Sequence, residues 1–394
     1  MSEKGPRILS ILSTLSILSI FLANADEYFV RRYLTHGMAI SLILGVFGAF
    51  NAFGRQDIVP GSRYTSGRAA ALGDAYLPLG EDGASGLFSN PAGLAKIRGA
   101  HFDPMNLSLF SNGALLQNFG TSSYKVYSLS QYAPELAKVP GEYVSAGAAL
   151  LPAFSSRFFS FGLLAQSEFG ATSDGATIHY RSRYQLIPAA GTSARLASGI
   201  VRIGYSLQWV NQASGDVFTP ADASPLGYNV GVLQGSALSH NVGLAINLPY
   251  AYLPAFNIVG RNLGGAHYSA TTIYKMATQS SGVPLTEPTT FDMSVSVRPK
   301  ATATSFFNVV FEFRDMTNQS KVTALGRAAF GLEYSIRNFL FLRGGYGSGY
   351  PSAGIGVGQK TGEFSLTYYS EDVGTTYHEQ QDTRYLFQYR IAAF

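Results

Sequence analysis

The chain contains no cysteine, so neither disulfides nor thiolate metal sites enter its chemistry. Charge is sparse. Only 13% of the 394 residues are Asp, Glu, Lys or Arg, about half the ~25% of an ordinary soluble domain. A surface wholly in water is hard to cover with so few charges, whereas a surface partly in lipid needs fewer. The formal net charge is only +4, which excludes the dense basic footprint of a nucleic-acid binder. Catalytic signatures are missing too. There is no G-x-S-x-G elbow. The six histidines, His36, His101, His179, His240, His267 and His378, show no metal-ligand spacing. No metal, cofactor or enzymatic activity is expected.

Long apolar runs are also lacking. Ile8–Ala25 is broken by serines at 10, 13, 16 and 19, and Met38–Phe53 is short of the ~20 residues a helical span needs. Each run instead fits a signal peptide. Lys4 and Arg7 precede the first, with Ala23-Asn24-Ala25 as a cleavage site; Arg31 and Arg32 precede the second, with Ala52-Phe53-Gly54. Two signals in series make little sense. The expectation is a true start near Val30, an N-terminal extension and signal over residues 1–54, and a mature chain from about Arg55. Two transmembrane helices are the competing reading.

What the chain does have is alternation. Phe291-Asp292-Met293-Ser294-Val295-Ser296-Val297-Arg298 alternates without error. So do Val201, Ile203, Tyr205, Leu207 and Trp209; Phe307, Val309, Phe311 and Phe313; Phe330, Leu332, Tyr334 and Ile336; and Tyr385, Phe387, Tyr389 and Ile391. A two-residue period makes one apolar and one polar face. In a soluble sandwich the apolar face turns inward; in an outer-membrane barrel it turns to lipid and the polar face lines the lumen. The segments are about as long as a tilted spanning strand of ~9–11 residues. Tyrosines near segment ends (Tyr180/Tyr184, Tyr250/Tyr252, Tyr368/Tyr369) suit interfacial girdles. The fold class expected is therefore all-β: a transmembrane antiparallel β-barrel of about fourteen strands over residues 99–394. On this pattern Phe311→Arg or Phe313→Arg blocks assembly and Glu312→Arg, facing a hydrated lumen, is tolerated. The terminal Phe394 falls on the face opposite Tyr385, Phe387, Tyr389 and Ile391, so either a bulge shifts the register by one residue or the usual end signal of an outer-membrane barrel is imperfect here.

Residues 55–98 differ from all of this. Gly67–Ala95 reads GRAAALGDAYLPLGEDGASGLFSNPAGLA, rich in small residues and poor in charge. A barrel of fourteen strands is too wide for its own side chains to fill, and small residues suit a segment packed inside it. Ser66 can cap a short helix through Ala75, Gly80–Gly83 is a turn, and Ala84–Phe88 can form a second helix. Asn90 can turn the chain with Pro91 at a favoured first position. Glu81 and Asp82 can bind a cation, pair with Arg63 or Arg68, or stay solvated. The plug residues singled out are Gly67, Arg68, Gly73, Asp74, Asn90, Pro91, Ala92 and Gly93. A helical pair packed outside a β domain is the alternative. Gly354–Thr361 glances at a phosphate loop, but Gln359 stands where Gly is needed, and alternate glycines fit a flat patch of wall against which a plug rests.

This pattern, a small-residue helix, an acidic turn, then Asn90-Pro91-Ala92-Gly93-Leu94, resembles the N-terminal hatch of the FadL superfamily, and most its PorV/PorQ-like branch. Gly260–Gly265 (GRNLGG) and Gly331–Gly349 (GLEYSIRNFLFLRGGYGSG) are similar to that branch's late strands. The resemblance implies a barrel with an N-terminal plug in the outer membrane of a Gram-negative bacterium, put there by barrel-assembly machinery. Two functions follow as expectations. One is a passive channel for hydrophobic or amphipathic small molecules, with Pro249, Tyr250, Tyr252 and Pro254 as a candidate gap in the wall. The other is a plugged, non-transporting barrel that partners a secreted or outer-membrane protein through polar loops at 211–231 and 266–288. Inward arginines at 181, 183, 202, 314 and 343 either line a path for carboxylates or pair with Glu168, Glu312, Glu333 and Glu363.

Overall fold

Alternation alone cannot say which face of a strand meets solvent; strand pairing decides it. The computed structural model describes residues 62–80, 83–117, 128–223, 226–277, 280–359, 361–373 and 380–393. Both N-terminal apolar runs, Val30, Glu81, Asp82 and Phe394 lie outside the described residues. Among the described residues the strands are β1 (His101–Asp103), β2 (Met105–Asn112), β3 (Tyr143–Leu150), β4 (Ala153–Ser155), β5 (Phe159–Ser173), β6 (Thr177–Leu196), β7 (Val201–Pro220), β8 (Val232–Asn247) and β9 (Ala255–Arg261). They continue as β10 (Ser280–Gly282), β11 (Thr290–Val297), β12 (Ser305–Phe313), β13 (Ala328–Ile336), β14 (Leu340–Gly347), β15 (Tyr350–Gln359), β16 (Gly362–Asp372) and β17 (Gln381–Ile391).

Each wall strand pairs antiparallel with its neighbours, and β17 returns to β2 with Ile391 opposite Met105 and Arg384 opposite Asn112. The sheet is closed. Prolines cut two wall strands into pieces: Pro104 separates β1 from β2, and Pro152 separates β3 from β4. The short β10 belongs to a loop and runs parallel to β8. What remains is a closed antiparallel barrel of fourteen strands. At Pro104 the pairing slips by one residue, since Leu107 faces Leu150 but Asp103 faces Ala153. A residue with no N–H is suited to the unpaired position of a bulge. Pro188, inside β6, also lacks an N–H for the ladder. Asn211 Nδ2 supplies a donor there, reaching the carbonyls of Trp209 (3.2 Å) and Leu186 (3.1 Å).

Burial then assigns the faces. Ile203, Tyr205 and Trp209 are exposed while Gly204, Ser206 and Gln208 between them are buried. Phe330 and Leu332 are exposed and Glu333 is buried; Tyr385, Phe387 and Tyr389 are exposed and Leu386 and Gln388 are buried. Apolar side chains point out and polar ones point in, the inverse of a soluble sandwich and the arrangement of a membrane-spanning barrel.

The two ends differ. One carries tight connections such as 156–158, 337–339 and 360–361; the other carries longer ones such as 113–142, 262–289 and 314–327. The strands are also uneven. β6 and β7 have 20 residues each and β11 and β14 have 8. Twenty residues span ~66 Å at ~3.3 Å each, well beyond an apolar band of ~25 Å even when tilted. The long strands therefore project past the band, where their outward faces are covered by the chain's own loops. The helix Leu129–Leu136 and residues 226–231 pack there on Phe169, Ile178 and Tyr180. Tyr228 lies 5.1 Å from the Phe169 ring and 5.9 Å, edge-on, from Tyr180. This corrects the girdle reading of Tyr180 and Tyr184, which are buried under loops. The loop expected over 211–231 is also shorter than expected, because β7 runs on to Pro220.

Candidate functional site

Residues 62–80 and 83–98 fold as two short helices and a 3-10 turn against the inward face of the wall. Helix α1 (Gly67–Ala71) starts at Ser66, whose Oγ accepts from Ala69 N at 3.1 Å. It stops short of Ala75 because Gly73 and Asp74 take left-handed φ of 64° and 63°, which suits Gly73 and ends the helix. Helix α2 spans Gly83–Phe88. The 3-10 turn Pro91–Lys96 has Asn90 as its N-cap: Oδ1 accepts from Ala92 N at 3.0 Å, with Pro91 behind it in the first turn. Asn90 Nδ2 donates to Leu77 O (3.1 Å) and to Asn257 Oδ1 on β9 (3.2 Å).

Small residues matter here because backbone meets backbone. A methyl group built at Gly204 would overlap the carbonyl of Pro91, and at Gly345 and Gly347 it would overlap the backbone of Leu72 and Gly73. At Gly354 it would stand 2.6 Å from Ala71 Cβ, whereas at Gly356 and Gly358 it would meet Arg343, Gly362 and Glu363 of the wall, so of the alternate glycines of β15 only Gly354 lies against α1. Gly93 is held close to the carbonyl of Gly80, and Ala92 is fully buried. On the opposite side, Leu87, Leu94 and Ile97 pack against inward Leu164, Ile187 and Val210. Each fully buried leucine of this kind contributes ~1.5–3 kcal/mol.

Polar side chains of the wall meet the backbone groups these short elements leave unpaired. Gly67 N donates to Gln388 Oε1 (2.7 Å), and Thr367 Oγ1 donates to Gly67 O (2.8 Å). Glu312 Oε2 accepts from Tyr76 N (2.9 Å) and Leu77 N (3.0 Å). Gln208 Nε2 donates to Leu87 O (3.0 Å), Arg261 Nη1 to Phe88 O (3.0 Å) and Arg195 Nη2 to Ile97 O (2.8 Å). Arg68 grips Glu333 with two bonds (2.8 and 2.6 Å), and Arg343 Nε reaches the same carboxylate at 2.8 Å. These anchors come from β6, β7, β9, β12, β13, β14, β16 and β17, on all sides of the lumen.

The inward arginines largely pair. Arg183 meets Glu168 (3.1 Å), Arg343 meets Glu333 and Glu363 (2.8 and 2.7 Å), and Arg181 meets Asp216 (3.3 Å). Glu312 departs from the pairing expected for it, because it takes the amides of residues 76 and 77. Asp74 stands 3.8 Å from Arg314. Pro249, Tyr250, Tyr252 and Pro254 lie in the turn between β8 and β9, where Leu248 N bonds Pro254 O at 2.9 Å. These prolines end strands at a hairpin, with Tyr250 and Tyr252 exposed.

Beside the inner segment is a cavity of about 570 Å³, bounded by Ser62, Arg63 and Phe88 on one side and by the loop 284–288 on another. Its wall includes Gln185 and Gln212, two members of a longer run of amides. Gln166 donates to Gln185, Gln185 to Gln212, and Gln212 Nε2 to Ser214 Oγ at 3.1 Å, following the register across β5, β6 and β7. Neither these glutamines nor the wall anchors Gln208 and Gln388 were singled out from the sequence, and Glu312 was marked only as an inward carboxylate, not as an anchor. The available signal was a Gln or Glu at an inward position of a long alternating strand.

Arg63 clasps the loop by pairing with Glu287, which also accepts from Tyr268 Oη at 2.6 Å. Burial pushes the Glu287 carboxyl up, but the Arg63 charge and the bonds from Arg63 and Tyr268 outweigh it and hold it below the usual carboxylate range. A carboxyl depressed in the folded state stabilises above its unfolded pKa and loses that contribution as pH falls through the folded one. The clasp is therefore intact at neutral pH and is released only as pH falls below the ordinary carboxylate range. Protease cutting within 266–288 should rise over that interval, and Glu287→Gln should abolish the pH dependence.

Among the described residues no group of three His, Asp or Glu side chains is placed to hold a metal ion. No family model and no curated protein matches the chain. Solved structures do. The monoaromatic hydrocarbon channel CymD is 11% identical, with 86% of this chain and 98% of that one covered at a TM-score of 0.49. The toluene transporter TodX of P. putida is 11% identical over 83% and 96%, at 0.43. The outer-membrane phospholipase A of Escherichia coli is 9% identical over 83% and 98%, at 0.27. The first is a channel, the second a transporter and the third an outer-membrane phospholipase, and at these scores they add nothing to what this chain's own strand pairing shows.

Proposed function

We propose that the chain is a FadL-like outer-membrane channel through which hydrophobic or amphipathic small molecules pass without catalysis, with residues 62–98 as its plug. The observation that carries this reading is the 570 Å³ cavity between the inner segment and the loop 284–288, which falls in the size range of small-molecule sites, ~300–1,000 Å³. The cavity lies within a barrel whose outer belt is apolar, so its ligand would cross the membrane's plane inside the wall. The PorV/PorQ-like resemblance of the 90–94 motif supports a second reading, a non-transporting partner of a secreted protein. The anchoring of residues 62–98 on all sides of the lumen favours it.

Loosening the plug distinguishes the two. Asn90 caps the turn and bonds the wall, so Asn90→Ala with Pro91→Gly removes a cap worth ~0.5–2 kcal/mol and leaves the wall ladder untouched. Heat-modifiable gel migration should persist, because a closed sheet keeps its hydrogen bonds until boiled. Uptake of the channel's small-molecule probes should rise in proteoliposomes. If uptake is absent in both the parent chain and this variant, the channel reading falls and the partner reading stands.

A further inference from the structure

The chemistry of the cavity narrows the ligand, and this inference rests on the channel reading above. Its charged lining is already neutralised. Arg63 pairs with Glu287, Arg183 with Glu168, Arg261 with Asp292 at 2.6 Å, and Asp216 with Arg181 and His179. A charged ligand would meet no uncompensated charge there and would have to shed its own hydration. The polar groups left to meet a ligand are neutral: Gln185, Gln208, Gln212, Asn241, Asn262 and Thr290. Pure hydrocarbon fits this lining poorly, because covering amides without replacing their hydrogen bonds costs free energy.

Thr290 is the most informative of these. It lines the cavity, is 1% exposed, and its Oγ1 has no hydrogen-bond partner from the protein. Buried hydroxyls are nearly always bonded, and this one borders the cavity, so a molecule held there can supply the bond. Apolar surface makes up somewhat more than half of the lining, with Phe88, Leu233, Pro284, Leu285 and Pro288 contributing to it and Leu285 78% exposed on the loop. We propose that the cavity binds a neutral amphipath, whose hydroxyl- or amide-bearing head meets the amides and Thr290 and whose short apolar part lies against Phe88, Leu233 and Leu285.

The test uses the full chain in lipid nanodiscs, free of glycoside detergent, with empty nanodiscs subtracted. Three probes share one six-carbon chain: hexyl glucoside, hexanoate and hexylbenzene. Saturable binding of hexyl glucoside, at least tenfold tighter than either of the others, is expected. Thr290→Val should weaken it about three- to tenfold, the loss of one neutral hydrogen bond, while the temperature of heat-modifiable unfolding stays the same or rises. A structural hydroxyl would behave in the opposite way. Gln212→Leu should weaken the glucoside and not hexylbenzene. Equal or tighter binding of hexanoate or hexylbenzene overturns the ligand class, and so does glucoside binding that neither substitution alters. Flux of the same probes into liposomes judges the channel separately. Flux without glucoside preference sinks only the ligand class, whereas glucoside binding without any flux sinks the channel and leaves the ligand class standing.

Discussion

Gly345→Val is expected to displace the inner segment and open the lumen while the barrel stays assembled. A Cβ at Gly345 points inward and overlaps the backbone of Leu72 and Gly73. Something has to give. The wall at this point is β14, paired along its whole length with β13 and β15, so moving it breaks ladder bonds on two sides. The inner segment is held there by a five-residue helix and a turn. It is the weaker partner and moves. Overpacking of this kind costs ~1–3 kcal/mol, which at ~1.4 kcal/mol per tenfold is a shift of about five- to over a hundredfold toward the displaced state. Entry of a bulky polar solute through the outer membrane should rise by that order, with heat-modifiable migration retained. Gly344→Val is the control: its Cβ meets nothing nearer than 4.0 Å, and it should change neither readout. Unaltered permeability in Gly345→Val would show that residues 62–98 are not the barrier.

Phe311→Arg is expected to remove the assembled, heat-modifiable barrel from the membrane. Phe311 is 49% exposed on the outward face of β12 and sits opposite outward Phe330. Arginine on the lipid face costs up to ~2–4 kcal/mol at mid-bilayer, and no wall partner waits for it there. Glu312→Arg, one residue on, should behave differently. The alternation alone makes it a tolerated change in a hydrated lumen. In the structure Glu312 is 3% exposed and holds two amides of the inner segment. The arginine variant should therefore assemble and heat-modify, because the wall does not depend on that side chain. Its permeability should rise, because two buried N–H groups lose their acceptor, at ~1–3 kcal/mol for an unsatisfied group. The quantities to measure are membrane yield for the first variant and solute entry for the second. Assembly of Phe311→Arg together with failure of Glu312→Arg would invert the two faces of β12.

The amino-acid sequence by itself determined the barrel. A strand's side chains alternate by geometry, so a run such as Ile203–Trp209 defines two faces without reference to anything else, and low charge with an aromatic outer set identifies which face meets lipid. It determined the local form of the inner segment as well. Ser66, Asn90 and Pro91 act through bonds to residues two or three positions away, and such short-range chemistry is readable in order along the chain. What only the tertiary structure decided depends on residues far apart. Gly345 bears on Leu72, Glu312 on Tyr76 and Gln388 on Gly67, each across more than two hundred positions, and nothing in a strand's period says which inward residue will meet the inner segment and which a cavity. The same holds for the amide run Gln166–Gln185–Gln212: each glutamine is an ordinary inward residue in its own strand, and it becomes a site only because barrel closure and register set the three side by side. The prolines at 249 and 254 show the limit from the other direction. Their effect on backbone pairing was legible, but whether a break falls in the wall or at its end is set by strand length, and β8 ends at Asn247.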